Sequence, residues 1–373
     1  MKFGNITWQK VKDTFRWRIL DSYILKNFLG SFFYSISLLM AIIVVFDVSE
    51  NIQRFLDNEV PFTKIVFSYY FNFIPFFINL FIPLFTFISV IWFTSKLSQR
   101  NEFVAILSGG INFYRLLFPY IVGALIIAVL AFFMSNFLIP KTNEQLNNFK
   151  NQYFYKKYFS TSNIHIKNSS DTYIFVERWS KNEDMGSKFT YEKLGNQGIV
   201  YKIKAETIKF DRENERWILE NYIKRSFSEG EENITSGESM DTVFNIVPLD
   251  LNKDVTVIET MTYNKLRKNI KEEKEKGSGF LRYYQIEMNK RMANPLGTII
   301  MTLLGLSVAS RKTHRGVGVH LFIGMGMAFS FIFLQQVSDV FAISGGLPPS
   351  LGAWMPDIIF LLICIVMLRL TQK

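Results

Sequence analysis

Residues able to do chemistry are few in this chain and far apart. Of 373 residues, three are histidine and one is cysteine. Cys364 lies in an apolar run, so one chain can build neither a disulfide nor a zinc cluster, and the thiol reads as a small packing residue. His165 is the sole histidine between Lys141 and Glu287, with no second histidine or cysteine near it to share a metal. It reads as an ordinary surface or strand residue. Carboxylates are plentiful, but they cluster only in surface runs such as Glu229–Glu232. Gly305, Gly316, Gly318, Gly324 and Gly326 stand in apolar surroundings with no following Lys-Ser or Lys-Thr, so they read as close-packing positions and not as a phosphate loop. The sequence therefore carries no catalytic residue, no metal site and no cofactor of its own, and an enzyme is not expected.

The elements explain why chemistry is sparse. Three strongly apolar runs, Leu29–Phe46, Ile65–Phe93 and Leu116–Ile139, precede a long polar stretch; Ala293–Ala309, Val317–Ala342 and Leu351–Leu370 follow it. A helix rises about 1.5 Å per residue, so about 20 apolar residues cross a hydrocarbon core of about 30 Å. Asp, Glu, Lys and Arg are nearly absent from these runs, as the cost of a charge in hydrocarbon demands. The expected organisation is residues 1–140 for the N-terminus and helices one to three, 141–285 for an inserted water-facing domain, and 286–373 for helices four to six. Pro75, Pro83, Asn72 and Asn79 interrupt the second run, which is too long for a straight crossing. A kinked or tilted helix is one reading, and a break that touches substrate is the other.

Charge gives an orientation. From Lys141 to Glu287 there are 24 basic and 23 acidic residues, which leaves 18 basic and 9 acidic elsewhere. The excess of the whole chain, +10, thus belongs to the membrane regions and points to anionic lipid, not nucleic acid. Lys2, Lys10, Lys12, Arg16, Arg18 and Lys26 precede the first run; Lys96, Arg100 and Arg115 lie between the second and third; Arg311, Lys312 and Arg315 follow the fourth; Arg369 and Lys373 end the chain. The alternate connections carry Asp47, Glu50, Asp57 and Glu59, or no basic residue at all. By the positive-inside rule both termini are expected in the cytoplasm and the large domain outside, after six crossings. No cleavable signal peptide is evident, because the first run begins late and acidic residues follow it.

The polar stretch reads as an all-β sandwich or roll. Tyr173–Val176, Gly198–Ala205, Thr207–Phe210, Arg216–Leu219 and Tyr222–Phe227 alternate with period two between turn residues, and Asp211–Asn214 makes the second pair of neighbours a hairpin. Thr262 can cap a helix that runs to Lys276 and stops at Gly277. Asn168-Ser169-Ser170 and Asn233-Ile234-Thr235 match glycosylation sequons, a pattern common by chance. A β-roll with an apolar interior, outside a membrane, suits a lipid or partner binder.

Between the second and third runs, Leu97, Val104, Ile106 and Leu107 give an amphipathic surface, and Gly109-Gly110 ends a short helix. Such a helix, with Glu102 exposed, can dock into a separate motor protein; an interfacial connector is the plainer reading. Here the chain resembles the lipopolysaccharide-export permeases of the LptF/LptG (YjgP/YjgQ) type. The resemblance rests on Tyr23-Ile24-Leu25, on Arg100-Asn101-Glu102 with Ala105, Gly109 and Arg115 through Pro119, and on Trp217-Ile218-Leu219. It continues in Met261–Leu266, Glu287, Lys290–Pro295, Leu347-Pro348-Pro349 and Trp354-Met355-Pro356. Each motif is weak alone; their order is specific.

The resemblance implies a membrane α plus β fold, six transmembrane helices (3+3) with an inserted periplasmic β-jellyroll-like domain, in a bacterial inner membrane. It implies a non-catalytic permease subunit of an ABC exporter, paired with a second LptF/LptG-type permease above a cytoplasmic ATPase dimer that binds the ATP and Mg. Lipopolysaccharide would enter from the outer leaflet and leave through periplasmic bridge proteins of the jellyroll type. Three groups of residues follow. ATPase coupling falls to Arg100, Glu102, Ala105, Leu107 and Gly109. Headgroup binding falls to Arg54, Lys64, Lys141, Lys290 and Arg291, with Arg291 the strongest because guanidinium holds phosphate bidentately. Snorkelling to any lipid is the alternative for these cations. The first run holds no Lys or Arg, unlike some relatives. A conduit in the outer domain falls to Ile174, Val176, Ile208, Phe210, Trp217 and Leu219, some of which must also form its core. A receptor or sensor with an outer β ligand-binding domain is the competing function; the lack of a cytoplasmic output domain counts against it. A membrane-anchored lipid enzyme has no constellation to support it.

Overall fold

A computed structural model of the chain describes residues 17–154, 160–167, 171–180, 183–195, 198–212, 214–228, 231–244, 246, 248–251, 255–276, 280–310 and 317–371. Lys2, Lys10, Lys12, Arg16, the sequon at Asn168, Glu229, Gly277, the basic loop Arg311–Arg315, Gly316 and Lys373 lie outside the described residues. The chain divides into two compact units: Met1–Leu56, Pro61–Asn143 and Ile286–Lys373 form the first, and Asp57–Val60 with Glu144–Gln285 the second.

In chain order the first helices are α1 (Ile19–Asp57), α2 (Phe62–Gln99), the short α3 (Glu102–Ser108) and α4 (Phe113–Tyr153). Strands β1 (Ser160–Lys167), β2 (Thr172–Ser180), β3 (Met185–Gly195), β4 (Gly198–Asp211), β5 (Arg216–Ser228) and β6 (Glu231–Thr242) follow. Then come α5 (Pro248–Leu251), α6 (Val255–Glu259), α7 (Tyr263–Lys276), α8 (Leu281–Ala309), α9 (Val317–Ser344) and α10 (Pro349–Thr371). Six helices among the described residues are long and apolar enough to cross a membrane. The helices outrun the apolar runs in the sequence, because helical hydrogen bonding continues into water once begun. At about 1.5 Å per residue the 39 residues of α1 reach about 58 Å, far beyond a hydrocarbon core.

Pro75 and Pro83 sit inside α2 without ending it. The departures from α geometry lie elsewhere, in π-helical stretches at Ile65–Tyr70 in α2 and Met134–Leu138 in α4. Each has an asparagine that satisfies a carbonyl nearby: Asn72 Nδ2 donates to Ser68 O at 2.9 Å, and Asn136 Nδ2 to Phe132 O at 2.9 Å. In hydrocarbon an unmade backbone hydrogen bond costs several kcal/mol, so these side chains make the irregular turns tolerable. Glycine sets the closest approach of the helices. A Cβ at Gly305 of α8 would lie 3.0 Å from the Phe87 ring and 3.2 Å from its carbonyl oxygen in α2.

The second unit holds one six-stranded antiparallel sheet, ordered β1-β2-β3-β4-β5-β6. The inserted β domain is thus present, and among the described residues its strands pair antiparallel in chain order. The predicted hairpin is in register, with Phe210 opposite Trp217 and Asp211 opposite Arg216. The short segments on either side merge into longer strands, Gly198–Asp211 and Arg216–Ser228. A step at Asn221, whose φ is 51°, lets the strands bend without breaking, and its side chain bonds Glu206 across the step at 2.9 Å. Helix α7 begins just after Thr262, whose carbonyl accepts from Leu266 N.

Replacing Gly305 by Val should cost about 1–3 kcal/mol through overpacking against Phe87. Gly326→Ala, where an added Cβ meets nothing within 4 Å, is the control. Thermal unfolding in detergent should show a lower midpoint for the first and an unchanged one for the second.

Candidate functional site

The loop between α2 and α4 is built for display. Asn101 turns the chain sharply at φ 58°, a left-handed conformation that asparagine tolerates, and its carbonyl accepts the first bond of α3 from Ala105 N. The helix ends where Gly110 takes φ 84°. Between these ends, Phe103 is buried, and Ile106 and Leu107 pack against the same apolar cluster as Leu97 and Leu116. Val104, Ala105, Ser108 and Gly109 are exposed. Helix α3 is therefore pinned along one side and open along the other.

This divides the coupling residues expected from sequence. Ala105 and Gly109 lie on the open side, and Glu102 is partly exposed, within 3.4 Å of the Tyr23 hydroxyl and 3.8 Å of Arg100. Leu107 is partly buried and packs on the apolar cluster, while Val104 is exposed on the outward surface. Phe103 was not singled out in the sequence, because an aromatic at the edge of an apolar pattern gives no sign of which way it turns.

A second missed feature is an ion pair. Arg115, in the first turn of α4, grips Asp21, in the first turn of α1, through two bonds of 2.9 and 2.6 Å, and both side chains are under a tenth exposed. Asp21 also accepts from Arg18 N at 2.7 Å, which caps α1. The pair binds the starts of the helices that follow and precede α3, and its sequence separation hid it.

The five headgroup cations divide as well. Arg54, Lys64 and Lys141 are exposed, with Arg54 bonded to Asn51 Oδ1 at 3.1 Å. Arg291, the strongest candidate from sequence, is only 3% exposed, and its Nε donates to Glu287 at 2.8 Å. Lys290 is paired with Asp339. Both side chains turn inward because carboxylates one helical turn away and on α9 compete successfully with the surface. Gln335 bonds Asn294 at 2.8 Å one turn along, so α8 and α9 share a polar seam that the basic motif alone did not reveal.

The six outer-domain residues share one face of the sheet. Ile174, Val176, Ile208, Trp217 and Leu219 are at most 1% exposed, Phe210 is half-buried, and Phe244, Ile246 and Leu251 cover the face. Trp217 Nε1 donates to Ile246 O at 3.0 Å and fastens that cover. Gly186 leaves room beside Trp179, whose ring stands 5.7 Å from that of Trp217. The opposite face carries charge: Lys188 donates to Glu177 at 2.7 Å, a bond that lowers the carboxyl's pKa. No group of three or more potential metal ligands occurs among the described residues.

The chain matches the family model described as "Lipopolysaccharide export system permease LptF/LptG" over residues 22–370. It is 23% identical over 295 residues to the lipopolysaccharide export system permease protein LptG of Escherichia coli strain K12, covering 78% of this chain and 81% of that one. It is 20% identical over 355 residues to LptG of Haemophilus influenzae, covering 92% and 96%.

Loss of either partner of the Asp21–Arg115 pair should cost about 3–5 kcal/mol, because the other charge stays buried and unpaired. Asp21→Leu with Arg115→Met should recover most of that loss. Melting midpoints in detergent and amide exchange across α3 measure both effects.

Proposed function

The chain belongs to the lipopolysaccharide export permease family LptF/LptG, and from that premise we propose that it is one of two paired permease subunits driven by a separate ATPase. The observation that carries the proposal is α3, a seven-residue helix held by Phe103 and Leu107 with its other side bare. A rigid helix that is fixed on one side transmits motion from whatever docks on the other. We place this surface, both chain termini and the ATPase dimer in the cytoplasm, on the loop charges described above. ATP and Mg would be bound by that partner, and this chain would hydrolyse nothing.

The other half of the function concerns the lipid. Lipopolysaccharide would be taken from the outer leaflet of the inner membrane, with its phosphates met first by the exposed Arg54, Lys64 and Lys141. Lys290 and Arg291 would contribute only by exchanging Asp339 and Glu287 for phosphate. The apolar face of the sheet would serve as the conduit toward bridge proteins of similar β architecture. Since Phe244, Ile246 and Leu251 fill that face, passage would require their displacement.

The coupling proposal is tested by Glu102→Ala and Gly109→Trp. Both should weaken association with the ATPase by at least about tenfold, or leave hydrolysis running without export, as expected when a contact worth about 2 kcal/mol or more is lost. Copurified ATPase is weighed first and export measured second. Full binding and full export in both variants would remove α3 from the interface.

A further inference from the structure

Asp357 stands in the third turn of α10, inside the apolar run Leu351–Leu370. It is 5% exposed, and its Oδ1 is buried with no hydrogen-bond partner among the described residues. The carboxyl lies against a point on α8 that has no side chain. A Cβ built on Gly297 would come within 2.6 Å of Oδ1 and 3.3 Å of the Phe331 ring of α9. Three helices therefore meet at this carboxyl.

Toward the end where α9 finishes and α10 begins, the same seam is polar in layers. Asn294 of α8 and Gln335 of α9 bond at 2.8 Å; beyond them Lys290 pairs with Asp339, and Arg291 with Glu287. Lys290, Asn294 and Gly297 recur at helical spacing on α8, as Asp339, Gln335 and Phe331 do on α9. Pro356 has no N–H to offer Gly352 O, and Ser338 Oγ donates there instead at 2.6 Å. Each of these side chains has a partner. Asp357 has no hydrogen bond and no ion pair among the described residues.

Among those residues no cation is near enough to hold Asp357 ionised. On α8, Lys290 and Arg291 lie about two turns from Gly297, roughly 9 Å or more along the axis, and Glu287 lies farther. On α9, Asp339 is two turns from Phe331 and would repel a second carboxylate, while His320 sits near the opposite end. On α10, Cys364 and Arg369 are two and three turns away. A carboxylate without a partner in apolar surroundings is costly, and such a group neutralises by taking a proton.

We propose that Asp357 is a proton-binding site of the membrane unit. While α8, α9 and α10 are packed in this way, the carboxyl holds its proton as a neutral acid. It gives the proton up only when the contact at Gly297 opens to water, so the charge of one side chain and the closure of three helices form one equilibrium. The proton enters and leaves at the end where α9 finishes. The amide and ion-pair layers lie on that side, and Met301, Leu304, Phe360 and Cys364 fill the other. The packed state then binds a proton that the opened or unfolded chain releases, so rising pH weakens the packing, opposite to the effect on a salt-bridged carboxylate.

The test uses the full chain in detergent, with isotopically labelled aspartate. Infrared absorption at neutral pH should show the carbonyl band of a protonated aspartic acid, identified by its isotope shift. Asp357→Asn should remove that band, and Asp339→Asn should keep it. Absence of the band from the unaltered chain would overturn the site whether or not a variant folds. So would a band that Asp339→Asn removes and Asp357→Asn leaves. Thermal unfolding between about pH 5 and pH 8 adds an independent measurement. The midpoints of the unaltered chain and Asp357→Asn should coincide at the acidic end, and that of the unaltered chain should fall further, by several degrees, toward the alkaline end. Parallel curves would overturn the linkage. A midpoint that rises when sodium replaces choline at fixed pH, in the unaltered chain but not in Asp357→Asn, would overturn the proton in favour of a metal cation.

Discussion

The two hydrogen bonds that the Arg115 guanidinium donates to the Asp21 carboxylate tie together the ends of the helices on either side of α3. Two charges withdrawn from water are costly unless each satisfies the other at close range. The pair therefore tolerates little displacement. It ties the first turn of α1 to the first turn of α4, and the connection from Gln99 to Phe113 that carries α3 ends beside that fixed point. Phe103 then has one apolar place to go, and the bare side of α3 is set by default.

The same rule, that polar groups inside apolar surroundings must find partners, accounts for the rest of the membrane unit. Asn72 and Asn136 stand beside the two π-helical turns and take up nearby carbonyls. At the other end of α1, Asp47 accepts from the hydroxyls of Tyr69 at 3.2 Å and Tyr70 at 3.0 Å, both in the π stretch of α2. The irregular turn places two consecutive tyrosines on one carboxylate. Lys290 with Asp339 and Arg291 with Glu287 repeat the logic on α8. Cations expected to wait for phosphate are engaged because a carboxylate within reach in low dielectric outcompetes distant solvent.

In the β unit the governing principle is the pleat. Alternating residues send Ile174, Val176, Ile208, Trp217 and Leu219 to one side and Lys and Glu to the other. Once on one side, five of these apolar chains are too large to remain uncovered in water, and Phe244, Ile246 and Leu251 close over them.

Composition and periodicity in the sequence alone determined the six apolar helices, the polar insertion, the hairpin at Asp211–Asn214, the helix after Thr262 and the helix stop at Gly109-Gly110. These are local matters: hydrocarbon thickness, side-chain alternation and backbone preference act on neighbours in the chain. The common face of the six apolar residues was legible for the same reason. What tertiary structure alone decided was partnership. Asp21 and Arg115 are 94 residues apart, and Lys290 and Asp339 are on different helices. Whether a cation is displayed or spent, and whether Leu107 or Val104 faces outward, depends on what lies across the contact. No pattern along one strand of sequence carries that information, because Coulomb attraction and close packing act through space.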